Sequence, residues 1–228
     1  MTSSKDVIMS RLRTALAQSQ PADADPQIIR PYQQEGALPP GDDGVIAQFV
    51  EALEDYNAKV KVVPTGADVP AAIDEFLAGD NVTSVVVPAG LPDEWAEGVS
   101  GAVAKGAATR NVTVDSVDEP ASKEALDEIE GVVTASRAAV SMSGTIMLDG
   151  EPDQGRRIIS LLPDVHVCVV RASDVFPTMP QAIALLGQHP ERPQTWLAGG
   201  SATSDIELVR VDGVHGPRHL RVVIVKDQ

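Results

Sequence analysis

Apolar residues Ile8, Leu12, Ala15 and Leu16 fall at helical spacing behind a capping serine, so the pattern predicts an amphipathic helix from Ser4 to about Ala17. Residues 20–44 show no period and contain Pro21, Pro26, Pro31, Pro39 and Pro40, the pattern of an extended connector that wraps its own domain or a neighbour. Beyond Gly44 the period switches repeatedly. Asp42 or Asp43 caps a helix with Ile46, Phe49, Val50 and Leu53 on one face, and Val60–Val63 reads as a strand. Ile73, Phe76 and Leu77 mark a second helix, and the apolar run Val82–Val87 fits a buried parallel strand. Glu94–Ala108 reads as helical in parts, Asn111–Val114 as a strand and Glu119–Glu130 as an acidic helix.

From Gly131 strands dominate: Val132–Ala135, Thr145–Leu148, Val165–Val170, Thr195–Ala198, Ile206–Val211 and Leu220–Val225, with one helix near Met179–Gly187. Alternating βα units followed by a strand-rich end predict an α/β fold, with a mainly parallel sheet, helices on both faces and an antiparallel addition. The expected organisation is an N-terminal helix and proline-rich arm over 1–44 and an α/β domain over 45–228.

A chain of 228 residues buries roughly 70% of its surface, enough for a core without external staples. With two Trp, two Tyr and three Phe, that core is aliphatic, and few rings remain for stacking on single-stranded nucleic acid. The net charge is −15, concentrated in residues 42–130, where nineteen acids face five bases. Such a surface repels phosphate backbones and anionic lipid, so nucleic-acid and membrane partners are not expected. The last hundred residues are nearly neutral, which makes them the place to look for an anionic ligand.

Cys168 is the single cysteine, so no disulfide framework and no Cys-x-x-Cys cluster ligand set exist in this sequence. The amino terminus leads into a mixed-charge helix rather than a signal peptide, and no apolar run approaches the roughly 20 residues of a membrane span; a cytoplasmic location is expected. Period-two alternation places His166 and Cys168 on the face opposite Val165, Val167 and Val169, where a small buried thiol is expected.

The common nucleotide and zinc fingerprints are missing. His215 and His219 are four apart, but Gly216 and Pro217 interrupt the helix that a two-histidine metal site needs, so no metal site is expected. Four small polar clusters remain. Gly199, Gly200, Ser201 and Thr203 directly follow a strand, where glycines let backbone N–H groups approach an anion and hydroxyls add donors; a tight capped turn explains the same residues. Ser143, Gly144 and Thr145 form a second turn. Arg156 and Arg157 follow Gly155, as a carboxylate clamp or as plain surface charge, and surface charge is the commoner use. Gly213–His219 holds two glycines, two histidines and an arginine; His215 suits acid–base work, Arg218 suits an anion, and Asp205 is a further carboxylate within the clusters.

Taken in order, Ser143–Leu148, Gly155–Arg157 with Leu161–Val167, Gly199–Glu207 and Gly213–Arg218 resemble the LUD-domain proteins, closely over the last hundred residues and in element order before them. The resemblance implies a fold like that of the ribose-5-phosphate isomerase, glucosamine-phosphate deaminase and CoA-transferase group. It implies a role in oxidising L-lactate to pyruvate beside iron–sulfur partner proteins, with no intrinsic cofactor. Two positions depart from the family pattern: Met142 stands where relatives usually have glutamate, and Gly200 where they usually have proline. On this reading Ser143, Gly144, Thr145, Gly199, Gly200, Ser201, Thr203, Gly216 and Arg218 converge on a small carboxylate or phosphate, with His215 and Asp205 as candidate catalytic groups. The alternatives are a self-sufficient enzyme acting on a sugar phosphate or acyl-CoA, and a ligand-sensing subunit.

Overall fold

The computed structural model describes residues 3–18, 31–101, 109–204, 210–213 and 216–227. The chain divides into two compact units, Met1–Tyr32 and Gln33–Gln228. In the first, α1 (Ser4–Gln18) forms as its period predicts.

In the second unit, Asp42 caps α2 (Asp43–Asp55) by accepting the Gly44 N–H at 2.8 Å, and Val45, Ile46, Phe49 and Leu53 are buried on one face. There follow β1 (Lys59–Thr65), α3 (Val69–Gly79), β2 (Ser84–Pro88), α4 (Ala96–Ser100), β3 (Asn111–Asp115), α5 (Lys123–Asp127) and β4 (Gly131–Thr134). After these come β5 (Ala138–Val140), β6 (Thr145–Leu148), β7 (Val165–Arg171), β8 (Val175–Phe176), α6 (Met179–Leu186), β9 (Thr195–Ala198), β10 (Ala202–Ser204), β11 (Arg210–Asp212) and β12 (His219–Asp227).

Six strands pair in the order β1-β12-β7-β4-β2-β3, all parallel, as the βαβ rhythm predicts. Alternation along each strand sends Val165, Val167 and Val169 to one face, with Val223, Val225 and the apolar sides of α3 and α4. Cys168, Val170, Leu220, Val222 and Ile224 face the other way, against α2 and a second sheet. That sheet runs β8-β5-β6-β9, with β6 antiparallel to both β5 and β9. Its far side is closed by Ala182 and Leu186 of α6 against Ala138, Val140 and Met147.

Two expected elements come out differently. The acidic helix of 119–130 shrinks to α5. The Ala121 N–H is spent on Asp115 Oδ1 at 3.0 Å, so the segment before Ser122 stays tethered to the end of β3, and the helix starts at the Ser122 cap. The strand expected over 206–211 lies partly outside the described residues, and its described part is β11, paired antiparallel with β10. The latter part of the proline-rich stretch belongs to the second unit, where the Gly41 N–H donates to Val175 O at 3.2 Å and the Thr178 hydroxyl to Gln34 O at 3.3 Å.

Candidate functional site

Leaving β9, the chain turns sharply at Gly199, whose φ of +76° is left-handed. A Cβ there would lie 2.5 Å from Tyr56 Cβ at the end of α2, so glycine is required twice over. At Gly200 a Cβ would sit 2.5 Å from Arg218 O, because the 216–218 segment crosses directly behind the turn. The crossing is pinned by the Ser201 N–H, which donates to Pro217 O at 2.7 Å, and by the Gly213 N–H, which donates to Ser201 O at 2.8 Å. The Gly199 and Gly200 N–H groups, by contrast, have no acceptor among the described residues.

Between this turn and the face of the large sheet lies a cavity of about 320 Å³. Gly199, Gly200, Ser201 and Gly216 line it, so the structure brings four of the sequence's candidates to one wall. Leu161, Leu197 and Leu220 supply its apolar surface. Arg157 lies at its edge and is exposed, with no hydrogen-bond or ion-pair partner for its guanidinium among the described residues. It is the one permanently charged side chain on the described wall, in a protein of net charge −15. A single cation with backbone donors and no acid suits a small anion.

The opposite wall includes His166, fully buried on β7. Its Nε2 is 2.8 Å from Thr134 Oγ1 on the neighbouring strand, and its Nδ1 has no partner among the described residues. Burial drives its pKa down to about 4, so the ring is neutral. Cys168, two residues on, is buried as expected, and burial pushes its thiol up to about 12, which leaves it unreactive.

The other candidates are distributed differently. Ser143, Gly144 and Thr145 line neither this cavity nor the one described next. Gly144, at φ +60°, packs its Cα against the Ala52 backbone of α2, while the Ser143 and Thr145 hydroxyls are 2.8 Å apart. Thr145 pairs with Ala198, one residue before the glycine turn, so this cluster supports the wall from behind. Arg218 is committed to Asp164, with Nε 2.7 Å from Oδ1. Thr203 lies on β10, and Asp205 and His215 lie outside the described residues.

A second cavity, of about 430 Å³, opens at the carboxyl ends of β2 and β3, between Ala89–Gly90, Asp115–Asp118 and Gly150–Pro152. Here β2 continues to β3 on one side while β4 leads toward β7 on the other, the topological switch where open α/β sheets commonly bind ligands. Its Arg156 is occupied, forked onto Asp115 at 2.9 and 2.5 Å and donating to Ala121 O at 3.0 Å. Arg157 lines both cavities. The sequence favoured surface charge over a carboxylate clamp for Arg157 and assigned His166 no site role. The adjacent Arg156 and Arg157 look alike in the sequence, and only the fold separates the paired one from the one without a partner among the described residues. His166 carried the signal of a polar residue on a buried strand face.

The LUD domain model matches residues 46–225. The chain is 39% identical over 206 residues to lactate utilization protein C of Deinococcus radiodurans, covering 90% of this chain and 89% of that protein. It is 33% identical over 102 residues to lactate utilization protein C of Bacillus subtilis, covering 42% of each. A crystal structure of a DUF162 family protein from Deinococcus radiodurans superposes with a TM-score of 0.62 at 34% identity, over 80% of this chain and 96% of that one.

Proposed function

The chain belongs to the LUD domain family, and from that footing we propose that it is a cytoplasmic subunit of an L-lactate oxidation system that holds a small carboxylate in the 320 Å³ cavity. The observation that carries this reading is the wall itself. Two glycine N–H groups and one guanidinium, all without partners among the described residues, belong to residues that line this cavity. A carboxylate supplies the acceptors these donors lack. The name of the Deinococcus and Bacillus relatives, lactate utilization protein C, supports lactate among small carboxylates, with pyruvate as its oxidation product.

Oxidising L-lactate to pyruvate releases two electrons and two protons, and this chain has few means of carrying the electrons. Its one cysteine is buried with its thiol held protonated, so it does not fit an iron–sulfur cluster. The resemblance to the LUD-domain proteins implies iron–sulfur subunits as the acceptors of these electrons. This chain contributes binding and orientation, with His215 and Asp205 as the groups to test for proton transfer.

The test is anaerobic capture of the tagged full chain from its own cells grown on L-lactate, with an iron assay and identification of co-purifying chains. The expected result is cysteine-rich, iron-containing partners, together with loss of growth on L-lactate when the gene is deleted. An iron-free single chain and unimpaired growth would overturn the reading.

A further inference from the structure

His166 is placed as no ordinary core residue would be. It sits on the central strand β7, wholly buried, in the wall of the cavity, with one ring nitrogen satisfied and the other without a partner among the described residues. Buried polar atoms in folded proteins are nearly always hydrogen-bonded, and exceptions concentrate where a water or ligand completes the set. Here His166 is itself one of the residues lining the cavity, and the cavity's volume, on the order of ten water molecules, leaves room for such a group.

Resting on the carboxylate reading above, we propose that His166 holds the 2-oxygen of a short 2-hydroxy or 2-oxo carboxylate through Nδ1–H, while the carboxylate end lies at Gly199, Gly200 and Arg157. The Thr134 hydroxyl suits the tautomer this requires. When it donates to Nε2 over 2.8 Å, the ring proton is on Nδ1. Its competing acceptor, Cys168 Sγ, is 3.8 Å away and weak, and the Cys168 thiol has Ala135 O at 3.7 Å as its own acceptor. Every donor in the chain of contacts then has an acceptor except Nδ1–H, and an oxo or hydroxyl oxygen supplies it. The neutral ring adds recognition of that oxygen without adding charge, so the site distinguishes acids that carry a 2-oxygen from acids that merely carry a carboxylate.

The experiment compares pyruvate, L-lactate and propionate by calorimetry on the full chain and on His166→Phe, with ¹⁵N-histidine NMR of the unmodified protein. Among the four histidines, the buried ring is assigned by its loss from the His166→Phe spectrum and by its failure to titrate above pH 5. The expected result is that pyruvate and lactate bind about tenfold tighter than propionate, the worth of one net hydrogen bond. Pyruvate also shifts the His166 Nδ1 signal, and His166→Phe binds all three acids alike. If the three acids bind equally and the His166 signal does not move, the His166 assignment falls while the carboxylate site stands. If none of them binds, the carboxylate site falls and the assignment with it. Should His166→Phe fail to fold, the discrimination against propionate and the NMR shift in the unmodified protein decide the question.

Discussion

The Arg218 guanidinium lies fork-on against the Asp164 carboxylate, Nε 2.7 Å from Oδ1 and a terminal nitrogen 2.5 Å from Oδ2. Both are substantially exposed, and the pair ties the 216–218 segment to the start of β7. The arginine most prominent in the sequence is thus spent on the chain's own carboxylate, and in the proposed reading Arg157 is the one that meets the ligand. Arg157→Gln is expected to weaken pyruvate binding at least tenfold, because a charge-assisted contact is lost. Arg218→Gln is expected to leave it within about twofold, since exposed pairs contribute little. Calorimetric titration of the two variants checks this; the reverse order would move the anion site to Arg218.

Gly144 and Gly199, both left-handed, differ in what stands beside them. Gly144→Ala meets the Ala52 backbone at 3.1 Å and needs a shift of only a few tenths of an ångström, so a mainly conformational cost of about 1–2 kcal/mol is expected. Gly199→Ala places a Cβ 2.5 Å from Tyr56 Cβ and is expected to cost clearly more, with displacement of the cavity's rim. Urea denaturation of both variants gives the ranking.

Acid sensitivity has a specific source in His166. Its folded pKa of about 4 lies below the ordinary value of 6.5, so between these values the unfolded chain takes up a proton that the folded one refuses. The contribution is complete above pH 6.5 and is lost as pH falls from 6.5 toward 4, on the order of 3 kcal/mol in all. Burial raises the carboxyls of Asp153 and Asp174, which push stability the opposite way. Subtracting the His166→Phe profile from that of the unmodified protein removes their share. A difference that does not change between pH 6.5 and 4 would contradict the neutral buried ring.

On the other face of the sheet, Arg221 is 5% exposed and grips Asp80, at the end of α3, with bonds of 2.6 and 2.7 Å. Removing one partner leaves a charge with little solvent, so Arg221→Met is expected to destabilise by about 3 kcal/mol. Adding Asp80→Asn to it is expected to recover part of the loss, as a double-mutant cycle by denaturation shows.

The parallel sheet was legible in the sequence because its buried strands, such as Val85–Val87 and Val165–Val170, are near-continuous β-branched runs between helical periods. The small strands β5 and β8 were not, since three and two residues carry no period. Helix α5 was overcounted because composition does not reveal that Asp115 binds the Ala121 N–H. The turn at 199–201 was legible from its glycines, and its meeting with Gly216 was expected only through the family resemblance. What the sequence concealed was partner choice. Arg156, Arg157 and Arg218 have the same chemistry, and only their distances to Asp115 and Asp164 separate the occupied from the available.

The most direct measurement is a crystal structure of the protein with pyruvate. The account predicts the carboxylate at the Gly199 and Gly200 N–H groups within reach of Arg157. Pyruvate seated instead at the carboxyl ends of β2 and β3, beside Asp118 and Gly150, would contradict it and make the switch-point cavity the functional site.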